Sequence, residues 1–204
     1  WHCVDFIKNN YSAEVLGAYK IISPGAFRAD FWRYLVLYKT GGVYADIDTM
    51  CYSSILNFLQ PGIDFVVPID LPRNYKLFNA FMACTPNHPI LKQCIDMIVK
   101  NTLERRQFGH RIDYTGPGLL GKAVNIYLGR NETESFTTYG KFGNTSLCFL
   151  RFNSGIETVV DTNNNVLFQN KNGNSDIQKI YDKESKSARV NHWSHTEPYV
   201  RTNR

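Results

Sequence analysis

The stretch FRADFWRYLVLYKTGGVYADID, residues 27–48, carries the reading of the fold. Phe31, Tyr34, Leu35 and Tyr38 recur at i, i+3, i+4 and i+7, one apolar stripe that predicts a helix over 27–40. Gly41-Gly42 predicts its end, because glycine tolerates the left-handed backbone that closes a helix. Val43 to Thr49 then reads as a strand, with Val43, Ala45 and Ile47 on one face and Tyr44, Asp46 and Asp48 on the other. An apolar strand seldom ends on two like charges unless something pairs with them.

Working outward, Val4 to Asn9 predicts a short helical turn, and Ser23-Pro24-Gly25 a loop. Downstream, 65–69 and 77–84 read as strands. Residues 89–105 read as an amphipathic helix burying Ile90, Leu91, Cys94, Ile95 and Ile98, with Arg105-Arg106 at its end. Thr115-Gly116-Pro117-Gly118 is a turn feeding a helix over 119–128. Short strand-like runs follow at 136–139, 147–152, 158–161 and 166–169, and the Asn-, Lys- and Ser-rich stretch from 161 to 187 reads as exposed hairpins or loops. Strands alternating with helices predict an α/β fold with a central mixed, mostly parallel sheet flanked by helices and a β-rich, irregular C-terminal part. With 204 residues and neither repeat nor linker, one domain over 1–204 is expected.

Composition narrows the function classes. A net charge of +5 favours an anionic partner, but the basic residues are spread out and do not interleave with aromatics, which argues against nucleic acid. Cys3, Cys51, Cys84, Cys94 and Cys148 form no CxxC pair and no zinc-spaced cluster, so neither a disulfide framework nor a zinc site is expected. Sequons at Asn10, Asn131 and Asn144 say little in an Asn-rich chain. No run approaches a membrane span. The chain opens at Trp1 without Met and reads as an excised piece, and the sequence itself assigns it no compartment.

Two aspartates two apart on a strand can share one hard divalent cation. Such a cation bridges to phosphate oxygens and neutralises the charge on a departing diphosphate, as nucleotide-sugar chemistry demands. Asp30 and Arg33, at i and i+3 on the preceding helix, form either a surface ion pair or a clamp for sugar hydroxyls and phosphate, and Arg28 fits either part.

The whole stretch from Phe27 to Asp48 resembles the sugar-binding region with a DXD motif that marks glycosyltransferase family 32. Its pattern is R-x-D-x-x-R-Y, then L-Y-x-x-G-G-x-Y-x-D-x-D. The resemblance implies a GT-A-type fold and a transferase moving a hexose from a nucleotide diphosphate sugar, UDP-linked ahead of GDP-linked, to a glycan or other hydroxyl acceptor. It implies a manganese ion, with magnesium as the alternative. Asp30, Arg33, Asp46 and Asp48 would then be the catalytic set. Asp30 and Arg33 would hold the donor sugar and Tyr44 would lie beside the nucleotide. Asp46 would touch ribose or reach the metal through water, while Asp48 would bind the metal directly. Asn79-Ala80-Phe81-Met82-Ala83 with His88-Pro89 resembles the family segment whose Asn lies near the donor sugar, and the 115–117 turn is familiar too. Asn191-His192-Trp193-Ser194-His195 resembles the closing segment, which implies His192, or else His195, as a further metal ligand and Trp193 as a donor contact. Only about 27 residues precede Arg28, so the usual first nucleotide-binding unit is shortened or missing.

Family members mostly retain anomeric configuration. An inverting enzyme would need a carboxylate near the acceptor hydroxyl, for which Asp70 and Asp113 are candidates, otherwise turn residues. Two rivals stand beside this reading: a non-catalytic nucleotide-sugar-binding module, and an Asp-x-Asp phosphatase. The phosphatase would want a threonine two places past Asp48, where Met50 stands.

Overall fold

The computed structural model describes residues 2–23, 25–70 and 74–170. Three helices open the chain: α1 (His2–Asn10), α2 (Ala13–Ile21) and α3 (Gly25–Thr40). Strands β1 (Gly42–Ala45), β2 (Thr49–Cys51), β3 (Phe65–Ile69) and β4 (Phe81–Cys84) follow, then helices α4 (Pro89–Leu103) and α5 (Pro117–Tyr127). Strands β5 (Gly140–Lys141), β6 (Leu147–Asn153), β7 (Thr158–Val160) and β8 (Val166–Asn170) complete the described part.

The strands form one sheet in the order β1-β4-β3-β6-β7-β8-β2, with β5 also on β6. The expectation of a mostly parallel sheet fails. Among the described residues only β3 and β6 pair in parallel, and every other pairing is antiparallel. Parallel neighbours need a long crossover. The one between β3 and β6 carries β4, α4 and α5, whereas pairs such as β7 and β8 are joined by short turns.

Alternation along the strands divides the core. Phe65, Val67 and Ile69 of β3, Met82 and Cys84 of β4, and Leu147 and Phe149 of β6 face the helices, packing with Phe31, Tyr34, Leu35, Ile95, Leu119 and their neighbours. Val66, Phe81, Ala83 and Leu150 face the other way and join Phe58, Val159, Leu167 and Phe168 in a second core. Phe81 and Phe168 stack at 4.1 Å although β4 and β8 are four strands apart in the ladder.

The sheet therefore curls. Laid flat, its seven-strand path would separate β1 from β2 by roughly 29 Å at ~4.8 Å per strand. Yet Ala45 and Thr49 are four residues apart, a reach of at most about 14 Å. The two ends of the path meet at the turn holding Asp46, Ile47 and Asp48, around the second core.

The predicted elements needed adjusting here. The strand expected over 43–49 stops at Ala45 and is broken by that turn. Ile47, read as sharing a strand face with Val43 and Ala45, lies in that turn and is fully exposed, and Asp46 and Asp48 do not share a strand face. Helix α2 and the extra length of α1 went unread, because nine-residue helices give little periodic signal. Phe136 makes an isolated bridge with Asn74 rather than starting a strand. All five cysteines are free. No helix among the described residues is long and apolar enough to cross a membrane.

Candidate donor site

Helix α3 turns Asp30 and Arg33 inward on one face, beside the fully buried Tyr34. Their side chains are 15% and 7% exposed, so the surface-pair reading is excluded. Arg33 is the hub. Its Nη2 lies 3.2 Å from Oδ1 of Asp30 and 3.2 Å from Oδ1 of Asp46, while its Nη1 donates to the Asn79 carbonyl at 2.6 Å. The guanidinium also sits 4.6 Å above the Tyr44 ring, at cation–π distance.

Asp30 is held on both oxygens. Oδ1 accepts from Asn79 Nδ2 at 2.9 Å and Oδ2 from the Thr115 hydroxyl at 2.9 Å. Burial raises the Asp30 carboxyl above its usual value; Arg33, Thr115 and Asn79 pull it down and Asp46 adds to the rise. Burial works to lower Arg33, but Asp30 and Asp46 outweigh it and raise the guanidinium further. Asn79 Nδ2 also donates to the Tyr34 hydroxyl at 3.2 Å, which lies 3.5 Å from the Gly116 carbonyl. Gly116 sits close to the same group: a Cβ there would come within 3.2 Å of the Ile112 carbonyl and 3.3 Å of Asp30 Oδ2.

Asp46 enters from β1. Its N–H donates to the Ala80 carbonyl at 2.9 Å, its carbonyl accepts from Thr49 N–H at 2.9 Å to close the turn, and its Oδ1 accepts from the Tyr44 hydroxyl at 2.7 Å. Both partners of the carboxylate, Arg33 and Tyr44, thus use the same oxygen. Asp48 is half-buried two residues on, and no described residue bonds to its carboxylate.

Asp30, Arg33, Asp46 and Asn79 line one cavity of about 360 Å³ together with Phe27, Asp70, Phe78, Ile112 and Gly116. Arg28 stays apart: its Nε donates to the Ile22 carbonyl at 2.5 Å, tying α3 to the end of α2. Asp113 is also elsewhere, bonded by the Tyr75 hydroxyl at 3.0 Å and by Lys122 at 3.0 Å. His192, Trp193 and His195 lie outside the described residues, within which no group of three or more acidic, His or Cys side chains is placed to hold a metal. The sequence reading missed the roles of Thr115 and the Tyr34 hydroxyl. The Thr-Gly-Pro turn was visible, but only the tertiary fold brings it to Asp30.

Residues 2–65 match the family described as the glycosyltransferase sugar-binding region containing a DXD motif. An uncharacterised glycosyltransferase of Acanthamoeba polyphaga mimivirus is 31% identical over 65% of this chain and 52% of its own length. The initiation-specific alpha-1,6-mannosyltransferase of Schizosaccharomyces pombe is 28% identical over 57% of this chain and 35% of its own. The inositol phosphoceramide mannosyltransferase 1 of the same yeast is 37% identical over 48% and 28%. The chain thus spans about half the length of the first of these relatives and less of the others. Among solved structures, the PaToxG glycosyltransferase aligns with a TM-score of 0.42 and 25% identity, over 51% of this chain and 36% of that one. Residues 2–65 thus match the glycosyltransferase sugar-binding region that carries the DXD motif, and the chain is similar to these glycosyltransferases over part of its own length and of theirs.

Proposed function

We propose that the protein transfers a hexose from a nucleoside diphosphate sugar to a hydroxyl acceptor, with a GT-A-type arrangement of the donor site. The observation that carries the reading is the convergence of Asp30, Arg33, Asp46 and Asn79, from three separate chain segments, on one cavity. Buried charges are costly unless paired, and here the pairing leaves a polar wall fixed before any ligand arrives. Asp30 accepts from donor-sugar hydroxyls, Arg33 donates to a hydroxyl or to phosphate, and Asn79 extends that wall. Tyr44 lies beside the nucleotide. UDP-linked donors are the first choice over GDP-linked ones, and the mannosyltransferase names of the relatives put mannose among the first hexoses to test.

A manganese ion, or magnesium in its place, fits the turn at residues 46–48. Oδ2 of Asp46 and the carboxylate of Asp48 are hard oxygen donors that no described residue occupies. When bound, the ion supplies charge neutralisation for the leaving diphosphate. The chain's own part is to hold the donor sugar at Asp30, Arg33 and Asn79, to keep water from the anomeric carbon with Phe27 and Phe78, and to fix Asp46 against Arg33. Transfer proceeds with retention.

The test is a panel of UDP- and GDP-hexoses with manganese, read by thermal stabilisation and by donor turnover, with Asp48→Ala as control. Manganese-dependent stabilisation and turnover by the wild type, both lost in Asp48→Ala, are expected. Stabilisation without turnover would make the protein a binding module; no stabilisation by any donor would refute the reading.

A further inference from the structure

The acidic side chains around the cavity are unequally engaged. Asp30 has its two oxygens bonded by Asn79, Thr115 and Arg33, and Asp46 has one oxygen bonded by Tyr44 and Arg33. Asp113 is fixed by Tyr75 and Lys122, away from the cavity. Asp70 lines the cavity, and no described residue donates to its carboxylate.

Topology says where Asp70 stands. Strand β4 runs antiparallel to both β1 and β3 and lies between them, so the C-terminal ends of β1 and β3 open on the same side. Asp46 is the first residue after β1 and Asp70 the first after β3, with Asn79 on the approach to β4 between them. Two strand spacings separate β1 from β3, roughly 9–10 Å. Asp46 and Asp70 thus stand past the ends of β1 and β3 on one side of the sheet, and both line the cavity. Phe78, stacked on Phe152 at 4.1 Å, gives the cavity an apolar wall.

We propose that Asp70 is the acceptor-side carboxylate of the cavity, taking a hydrogen bond from a hydroxyl of the sugar that receives the transferred hexose. The assignment rests on the glycosyl-transfer reading above. Burial raises the Asp70 carboxyl, with Lys76 pulling it down, and among the described residues none donates to it. A sugar hydroxyl restores such a bond, and one to a charged group is worth about tenfold or more in affinity.

The experiment uses the full chain with manganese, as wild type, Asp70→Asn and Asp70→Ala. The donor is whichever of UDP-glucose, UDP-galactose and GDP-mannose the wild type turns over. Two rates are measured: hydrolysis of the donor, with water as acceptor, and transfer to methyl α-D-mannopyranoside, methyl β-D-galactopyranoside or methyl β-D-glucopyranoside at varied concentration. KM for the glycoside should rise about tenfold or more in Asp70→Ala, a larger loss than any in donor hydrolysis. Asp70→Asn, nearly isosteric and able to accept one bond, should fall between, and serves alone if the alanine variant does not fold. Equal losses in both reactions, no change in either, or a wild type that hydrolyses donor yet transfers to none of the three glycosides would overturn the assignment. A wild type that turns over no donor would instead overturn glycosyl transfer itself, and the assignment with it.

Discussion

Replacing Arg33 by methionine tests whether the site is held by one buried guanidinium. The change removes the ion pairs to Asp30 and Asp46, the bond to the Asn79 carbonyl and the stack on Tyr44, while keeping much of the side chain's volume. Breaking a buried pair by deleting one partner costs about 3–5 kcal/mol, because the other charge stays buried. The Asp46 pair adds only about 0–1 kcal/mol, since that carboxylate is 33% exposed and water screens it. The Asn79 carbonyl loses a donor too, but that loss belongs to the same side chain and is not additive. For a chain of 204 residues, at about 2–4 °C per kcal/mol, a loss of 3–5 kcal/mol lowers the midpoint by roughly 6–20 °C.

The pH dependence gives the result a sign. Asp30 in the folded protein already titrates above its usual value. Arg33 pulls it down, so its removal raises the folded value further. A carboxyl that holds its proton more tightly when folded loses stability as pH rises from its unfolded toward its folded value. The variant's deficit should therefore be larger at pH 8 than at pH 5, because acidification favours the neutral form of the buried carboxyl. Thermal unfolding followed by circular dichroism at the two pH values reads both effects. A deficit under about 2 °C at pH 8, or one that grows on acidification, would refute the picture of Arg33 as the charge that makes a buried Asp30 tolerable.

Three further outcomes follow from the same geometry. Gly121→Ala would place a Cβ 1.7 Å from the Tyr75 carbonyl, so urea unfolding should show a loss of about 3 kcal/mol or more, whereas Gly17→Ala, with nothing within 4 Å, should be neutral or gain up to about 1 kcal/mol. Thr115→Val removes a donor to Asp30 and should cost about 1–3 kcal/mol by the same assay, with a smaller deficit at pH 5 than at pH 8. Iodoacetamide at pH 8 should modify exposed Cys51 in the native protein, while Cys84, pushed up by burial to about 12, and buried Cys94 should react only after unfolding; peptide mapping by mass spectrometry reads the order.

What the sequence could say was set by the range of the forces involved. Helix α3 was legible because its stripe is local: Phe31, Tyr34 and Leu35 are all buried, as their spacing implies. The inward turn of Asp30 and Arg33 was legible as one of two options, and burial decided between them. The break after Ala45 was not legible, because nothing in Tyr44-Ala45-Asp46-Ile47-Asp48 says that the far end of the sheet will arrive at Thr49 to pair with Asn170. Arg28 and Arg33 share a helix and a charge, yet one reaches back to Ile22 and the other into the cavity, a difference set by partners distant in sequence or lying outside the helix. Asp70 and Asp113 looked alike as loop acids; Lys122 and Tyr75 claim one of them, and only the assembled fold shows which.

The curl of the sheet also explains why the two acids of the motif are not equivalent. Asp46 still belongs to the β1 end of the ladder through its bond to Ala80, so its carboxylate falls within reach of Arg33 and Tyr44. Both grip Oδ1, which leaves Oδ2 as an oriented acceptor with its geometry fixed from the other side. Asp48 lies past the exposed Ile47, where the chain crosses toward β2, and no described residue takes up its charge. A carboxylate in charge-assisted bonds is held in one orientation, whereas Asp48 has no bonding partner among the described residues. The turn thus divides one short motif into an anchored acid and an open one before any ligand is present. That division depends on Arg33 being buried where α3 meets the end of β1, which ties the motif's chemistry to the packing of the helix that precedes it.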